Sequence, residues 1–175
     1  MKVAGSTDPA LTLEVAVAVS PSVQEYLRRS QIAYSVFHHR PAYSAQEEAA
    51  VTHVPGRDWA KSVVCFADGE PIQAVVAADR EVDLDRLAEL AHAAAVRLAF
   101  ESELDWLYPE CEHGAMPPFG PLYKQRVFVD ESLGEEANIV FNGGTHADAI
   151  VMRFEDFVLL ARPIIGSFAE RPVLT

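Results

Sequence analysis

Apolar positions along the chain change their spacing several times, and each change marks an element. Val23, Tyr26 and Leu27 fall at helical spacing behind Ser20-Pro21, a capping residue followed by a proline whose fixed φ suits the first helical position; this predicts a helix over 21–31. Residues 34–40 are rich in aromatic and branched side chains and stop at Pro41, as a strand does. Ser44 with Glu47 three positions on forms a capping box ahead of Ala49, Ala50 and Val51, and Pro55-Gly56 ends that helix. Residues 59–67 and 71–78 are apolar runs separated by Asp68-Gly69, a pair that tolerates positive φ, so they form a hairpin of central strands. Asp83 opens a helix with Leu84, Leu87, Leu90, Ala91 and Ala94 on one face; a short strand at 96–99 and a helical turn at 102–108 follow. Residues 111–121 carry Gly114, Pro117, Pro118, Gly120 and Pro121 and cannot be regular. Beyond them, 122–129 and 137–141 read as strands, Asn142-Gly143-Gly144 turns the chain into a strand at 148–152, and 154–161 is a short helix burying Phe154, Phe157 and Val158.

Strands thus come in pairs as well as between helices. That order predicts an α+β fold: a mixed, largely antiparallel sheet curled toward a barrel with helices outside. With 175 residues, half of them hydrophobic, and no internal repeat, one domain over 20–175 is expected, preceded by an arm over 1–19 without strong periodicity. No apolar run reaches the roughly 18 residues of a membrane span, and Glu14 interrupts the apolar stretch near the N-terminus, so no membrane partner and a cytoplasmic place are expected. Cys65 and Cys111 lie far apart without CxxC spacing and read as free thiols. Formal charge is −12, with Lys2, Lys61 and Lys124 the only lysines, which argues against a surface gripping many phosphates; duplex DNA is not an expected partner.

The chain has no GxSxG elbow, P-loop, GxGxxG or HExxH. Cys111-Glu112-His113 is a lone group of potential ligands with no second cluster at ligand spacing, so neither a metal nor a cofactor is expected. Three features remain. Lys61 sits inside an apolar run, where an ammonium either snorkels out or meets an anion. The stretch 114–120, Gly-Ala-Met-Pro-Pro-Phe-Gly, is a stiff loop whose glycines permit close approach of a ligand or of another backbone. Asn142-Gly143-Gly144-Thr145-His146 is either a plain hairpin turn or a site that gathers polar groups and free amides at a strand end.

The order of these features, a strand Lys, a Gly-x-x-x-Pro loop about fifty residues on and a Gly-Gly-Thr-His turn about thirty beyond, resembles the YbaK/ProX family. These are aminoacyl-tRNA deacylases related to the editing domain inserted in bacterial prolyl-tRNA synthetases. The resemblance runs from about Val23 to Phe168 and includes the stretches at 39–47 and 117–120. It implies a barrel-like mixed sheet and metal-independent hydrolysis of the ester joining a small amino acid to the 3′ adenosine of tRNA. It also carries the family's catalytic positions to Lys61, Gly114 and His146, and its loop proline to Pro118. Gly143, Gly144, Thr145, Met116 and Phe37 are the remaining candidates for holding substrate. Lys61 suits an anion contact better than a base, and no carboxylate partner for His146 is visible in the sequence. The expected partner is the aminoacylated 3′ end of tRNA, with Lys61, Lys124 and Arg126 as a local basic patch, and a synthetase is a further candidate. A binding module without turnover and a hydrolase of non-RNA aminoacyl esters stand as alternatives.

Overall fold

A computed structural model of the chain describes residues 19–173; the arm expected over 1–19 lies, but for Val19, outside the described residues. The elements in order are α1 (Pro21–Ser30), β1 (Ser35–His38), α2 (Ala45–Thr52), β2 (Ala60–Ala67), β3 (Glu70–Ala77), β4 (Glu81–Val82), α3 (Leu84–Ala91), β5 (Val96–Leu98), α4 (Glu101–Leu107), β6 (Arg126–Asp130), β7 (Asn138–Asn142), β8 (Asp148–Arg153), α5 (Phe154–Ala161), β9 (Ile164–Gly166) and β10 (Ala169–Glu170). Three sheets result: β1-β8-β7, antiparallel throughout; β5-β2-β3-β6-β9, in which β6 runs parallel to both neighbours; and the two-stranded β10-β4. Trp59 makes a parallel bridge to Val140 and so joins the start of β2 to β7. The strands therefore run as one curled α+β surface from β1 to β9, open between those two edges.

The alternation of side chains across these strands builds two kinds of interior. Ala60, Val75, Ala77, Val127 and Val129 from one sheet meet Ile139, Phe141, Ile150 and Met152 from the other, and α1 and α5 close over this core with Val23, Leu27 and Phe157. On the opposite faces α3 covers Cys65, Ile72, Ala74 and Val76, and α2 covers Trp59, Val140 and Ala149. Helices thus lie on both sides of the curled surface, and α1 and α5 fill its open side.

Three expectations change in detail. Ser20 sits at the N-cap of α1, yet its side chain makes no capping bond; its backbone N–H donates to Gly143 O (3.1 Å), tying the helix start to the β7–β8 loop. The strand expected over 122–129 begins only at Arg126, because Gly120–Tyr123 forms a 3₁₀ turn closed by Lys124 at φ 57°. Gly120 is required there: a Cβ would stand 2.2 Å from Val127 Cγ2 and 2.5 Å from Gln125 O. Ala94 lies beyond α3, which ends when His92 turns left-handed, and its amide donates to Asp68 Oδ2 of the β2–β3 hairpin.

Candidate functional site

The β7–β8 loop puts His146 where three separate segments meet. Its backbone N–H donates to Glu112 Oε2 (3.0 Å). The ring Nε2 lies 2.6 Å from His113 O, and since a carbonyl only accepts, this nitrogen carries a proton. The other ring nitrogen, Nδ1, stands 3.1 Å from Glu48 Oε1. Glu48, on α2, is 1 % exposed and also accepts from Asn142 Nδ2 at 2.5 Å. The carboxylate partner that the sequence does not reveal for His146 is therefore Glu48.

Burial raises the Glu48 carboxyl above its usual range, against the pull of Asn142 and His146. For His146, burial acts to lower the imidazole, but the bonds to His113 O and Glu48 outweigh it and the net direction is up. A proton is thus held between the two groups, and both ring nitrogens are committed to protein partners. As arranged here, the imidazole braces the loops and offers no free nitrogen to a substrate.

What it braces is the 112–116 loop. Gly144 N–H donates to Ala115 O (3.0 Å) and Glu112 N–H to Gly144 O (2.8 Å), so the two loops are laced together. Gly114 has φ +83°, and a Cβ on it would stand 3.3 Å from His146 Cε1. Gly144, at φ +112°, faces Ser20 and Cys111. Among the described residues, the amides of His113, Gly114 and Met116 have no acceptor. Gly114 is exposed, so its free amide faces solvent at the edge of the loop.

Lys61 lies on β2, the strand beside β7. The bridge between Trp59 and Val140 sets β2 beside β7, so two residues further along each strand Lys61 and Asn142 come to the same face. Asn142 holds Glu48, while the carboxylates that act on Lys61 are Glu81 and Asp79. Among the described residues its ammonium makes no hydrogen bond and no ion pair within 4 Å. Burial pushes it below its ordinary value, while Glu81 and Asp79 pull it back up. Phe37 stands on the same side, edge-on to Trp59 at 6.4 Å.

The other candidates serve different places. Met116 packs with Val64 and Tyr108; Val64, an odd number of positions from Lys61, faces the opposite side of β2. Pro118 is buried beside it in the chain, and Pro117 O accepts from the buried Gln73. Gly143 fits close contact with Val19 and Ile150, and Thr145 donates to Asp148 Oδ2 at 2.5 Å. The basic patch does not form: Arg126 lies beside Ile72, four residues along β3 from the Val76 opposite Lys61, and its guanidinium donates to Ala91 O. At about 3.3 Å per residue that is roughly 13 Å of strand. Burial pushes the Cys65 thiol up to about 12, which leaves it inert as a nucleophile.

Besides Glu48, the site draws in His39, whose ring is 5.8 Å from Trp59 and which acts on Glu48, and Tyr43, exposed and 5.5 Å from the His146 ring. Glu48 had a signal in sequence: it neighbours Ala49 on the side of α2 that the capping box turns inward.

The comparisons with known proteins bear on the family and the fold. The family model described as the aminoacyl-tRNA editing domain matches residues 39–160, which begins just after β1 and includes both loops and Lys61. The multifunctional Ser/Thr-tRNA deacylase ProXp-y of Escherichia coli K12 is 32 % identical over 114 residues, covering 62 % of this chain and 68 % of that protein. A proline--tRNA ligase of Nitratidesulfovibrio vulgaris is 31 % identical over 134 residues, 77 % of this chain but 22 % of the ligase. Among solved structures, a candidate trans-editing enzyme for prolyl-tRNA synthetase superposes with a TM-score of 0.75 at 22 % identity, covering 86 % of this chain and 98 % of its own. The hypothetical protein APE2540 gives 0.76 at 20 %, with 85 % and 99 % covered. The editing-domain match spans more than half of the chain, and the chain belongs to the aminoacyl-tRNA editing domain family.

Proposed function

We propose that the protein is a trans-editing deacylase that hydrolyses the ester between a small amino acid and the 3′ adenosine of a mischarged tRNA. The observation that carries this reading is the 112–116 loop. Its free amides at His113, Gly114 and Met116 are held in place by His146 and laced to the β7–β8 loop. Water adding to the ester carbonyl places negative charge on its oxygen, and rigid N–H donors outside any protein hydrogen bond are suited to receive that charge. Collapse of the tetrahedral intermediate then expels the ribose oxygen, which takes up a proton, and releases the free amino acid.

In this scheme His146 is a positioning residue, since both of its nitrogens are engaged. The proton acceptor for the attacking water comes from elsewhere, and the ribose hydroxyl beside the ester is the nearest group of the substrate. Lys61 contributes charge to the terminal phosphate or ribose, and Phe37 helps to wall the site on the Trp59 side. A tRNA substrate gives the protein its place in the cytoplasm, and a synthetase is a reasonable companion to an enzyme that corrects its products. No helix of the described residues is long and apolar enough to cross a membrane.

The test is single-turnover deacylation of a panel of tRNAs charged with alanine, serine, threonine, cysteine and the cognate amino acids. Faster loss of one or more mischarged esters than of the cognate ones supports the reading. Rates equal to the uncatalysed background across the panel would overturn it.

A further inference from the structure

A second polar cleft lies where β2 begins and β3 ends, beside the Ala60–Ala77 pair next to Lys61. It has a volume of about 420 Å³ and is lined by Arg57, Arg80 and Arg171 together with Asp79, Glu135 and the 55–56 turn. Three arginines thus line one cleft in a chain whose formal charge is −12. Arg57 has distant partners, Asp58 and Glu136, both at 3.6 Å. Arg80 and Arg171 have no carboxylate within 4 Å among the described residues.

β4 and β10 pair antiparallel, with Glu170 opposite Glu81, and Arg80 and Arg171 are the residues that adjoin that pair at the end of the two-stranded sheet. Planar guanidinium groups accept the two oxygens of a phosphodiester with paired hydrogen bonds, which a scattered set of surface lysines does not. Asp79 lines the cleft and also acts on Lys61. Arg57 lies in the turn that leads into β2, four positions before Lys61 in the chain.

We infer that this arginine cleft binds a phosphodiester of the RNA strand leading to the aminoacylated end, so that the protein grips its substrate at two points. This rests on the tRNA reading but does not depend on turnover. It also accounts for how an acidic chain holds RNA: a few phosphates are gripped locally while the rest of the surface repels the polyanion.

The experiment measures binding of uncharged tRNA to the wild type, to Arg80→Gln/Arg171→Gln and to Arg80→Lys/Arg171→Lys across a salt series, with inorganic phosphate as a competitor. The Gln pair is expected to bind about tenfold more weakly, and its slope of log affinity against log salt falls by about 0.7 to 1.4, one or two single-strand phosphates. The Lys pair keeps most of the slope, because charge is retained. Competition only by inorganic phosphate, with tRNA affinity unchanged in the Gln pair, would assign the cleft to a free anion and overturn the proposal. Unchanged affinity and slope in the Gln pair would overturn it as well, and so would absence of tRNA binding by the wild type. A failed deacylation panel with these binding changes intact would instead remove the hydrolase reading and leave the cleft standing.

Discussion

Glu48 Oε1 lies 3.1 Å from His146 Nδ1, and the same oxygen receives Asn142 Nδ2, so one buried carboxylate holds the two ends of the β7–β8 turn. Glu48→Ala leaves an amide and an imidazole nitrogen without partners in a dry site, at a cost of about 1 to 3 kcal/mol for each group left unsatisfied. Thermal melting is expected to show a clear loss of stability, with deacylation falling further than melting alone explains, because the Gly114 loop loses its brace.

The same pair sets a pH dependence. Both groups have raised folded-state values, so the folded protein holds protons more tightly than the unfolded chain does. Their contribution is complete below the ordinary carboxylate and imidazole values. It fades as pH rises through the raised ones. Melting temperatures measured between about pH 5 and pH 9 should decline more steeply for the wild type than for Glu48→Gln, which keeps the shape of the side chain without its titration. Parallel curves would show that the pair is not coupled to stability.

Lys61 is partly buried without a close anion, an arrangement worth retaining only where an anionic ligand compensates its desolvation. Lys61→Ala is expected to slow single-turnover deacylation at least tenfold, about 1.4 kcal/mol, while melting stays near wild type. Lys61→Arg recovers part of the rate, since a planar fork does not replace a compact ammonium. An Ala variant that is folded and fully active takes Lys61 out of the site.

Two glycines separate chemistry from folding. At Gly114, φ +83° and a Cβ 3.3 Å from His146 Cε1 give Ala a strain of about 1 kcal/mol, and the displaced amide lowers deacylation tenfold or more. At Gly120 a Cβ meets Val127 and Gln125 well inside van der Waals contact, so Gly120→Ala destabilises the whole fold by about 1 to 3 kcal/mol. Melting and rate measured together on both variants should show opposite emphases.

Turnover is expected to survive chelators. Among the described residues no group of three His, Cys, Asp or Glu side chains is placed to hold an ion. Activity lost to a chelator and restored by zinc would contradict this.

The elements with strong local signals were legible in sequence: the Asp68-Gly69 hairpin, the Ser44 cap of α2 and the proline-rich loop stand where their chemistry puts them, though Glu47 returns its carboxylate to the Tyr43 amide instead of closing the box on Ser44. The short strands β4, β9 and β10 were not, because two or three residues carry no period; their pairing partners, not their own composition, make them strands. The site divides the same way. Gly114 and His146 stood out by residue type and order, and they do meet. Glu48 escaped because its role depends on a partner 98 positions away, and the arginine cleft because Arg57, Arg80 and Arg171 are brought together only by the turns at the ends of four strands.

That separation has a consequence during synthesis. β1 finds its partner β8 more than a hundred positions later, with Ser35 opposite Val151, and closing so long a loop is slow compared with forming the Asp68-Gly69 hairpin. Until β8 has left the ribosome, β1 has no neighbour in the sheet, α2 has no surface of β8 to cover, and the amides of the 112–116 loop have no His146 to hold them. The nascent chain can acquire its hairpin early, but the brace that holds the 112–116 loop forms only after β8 has been made.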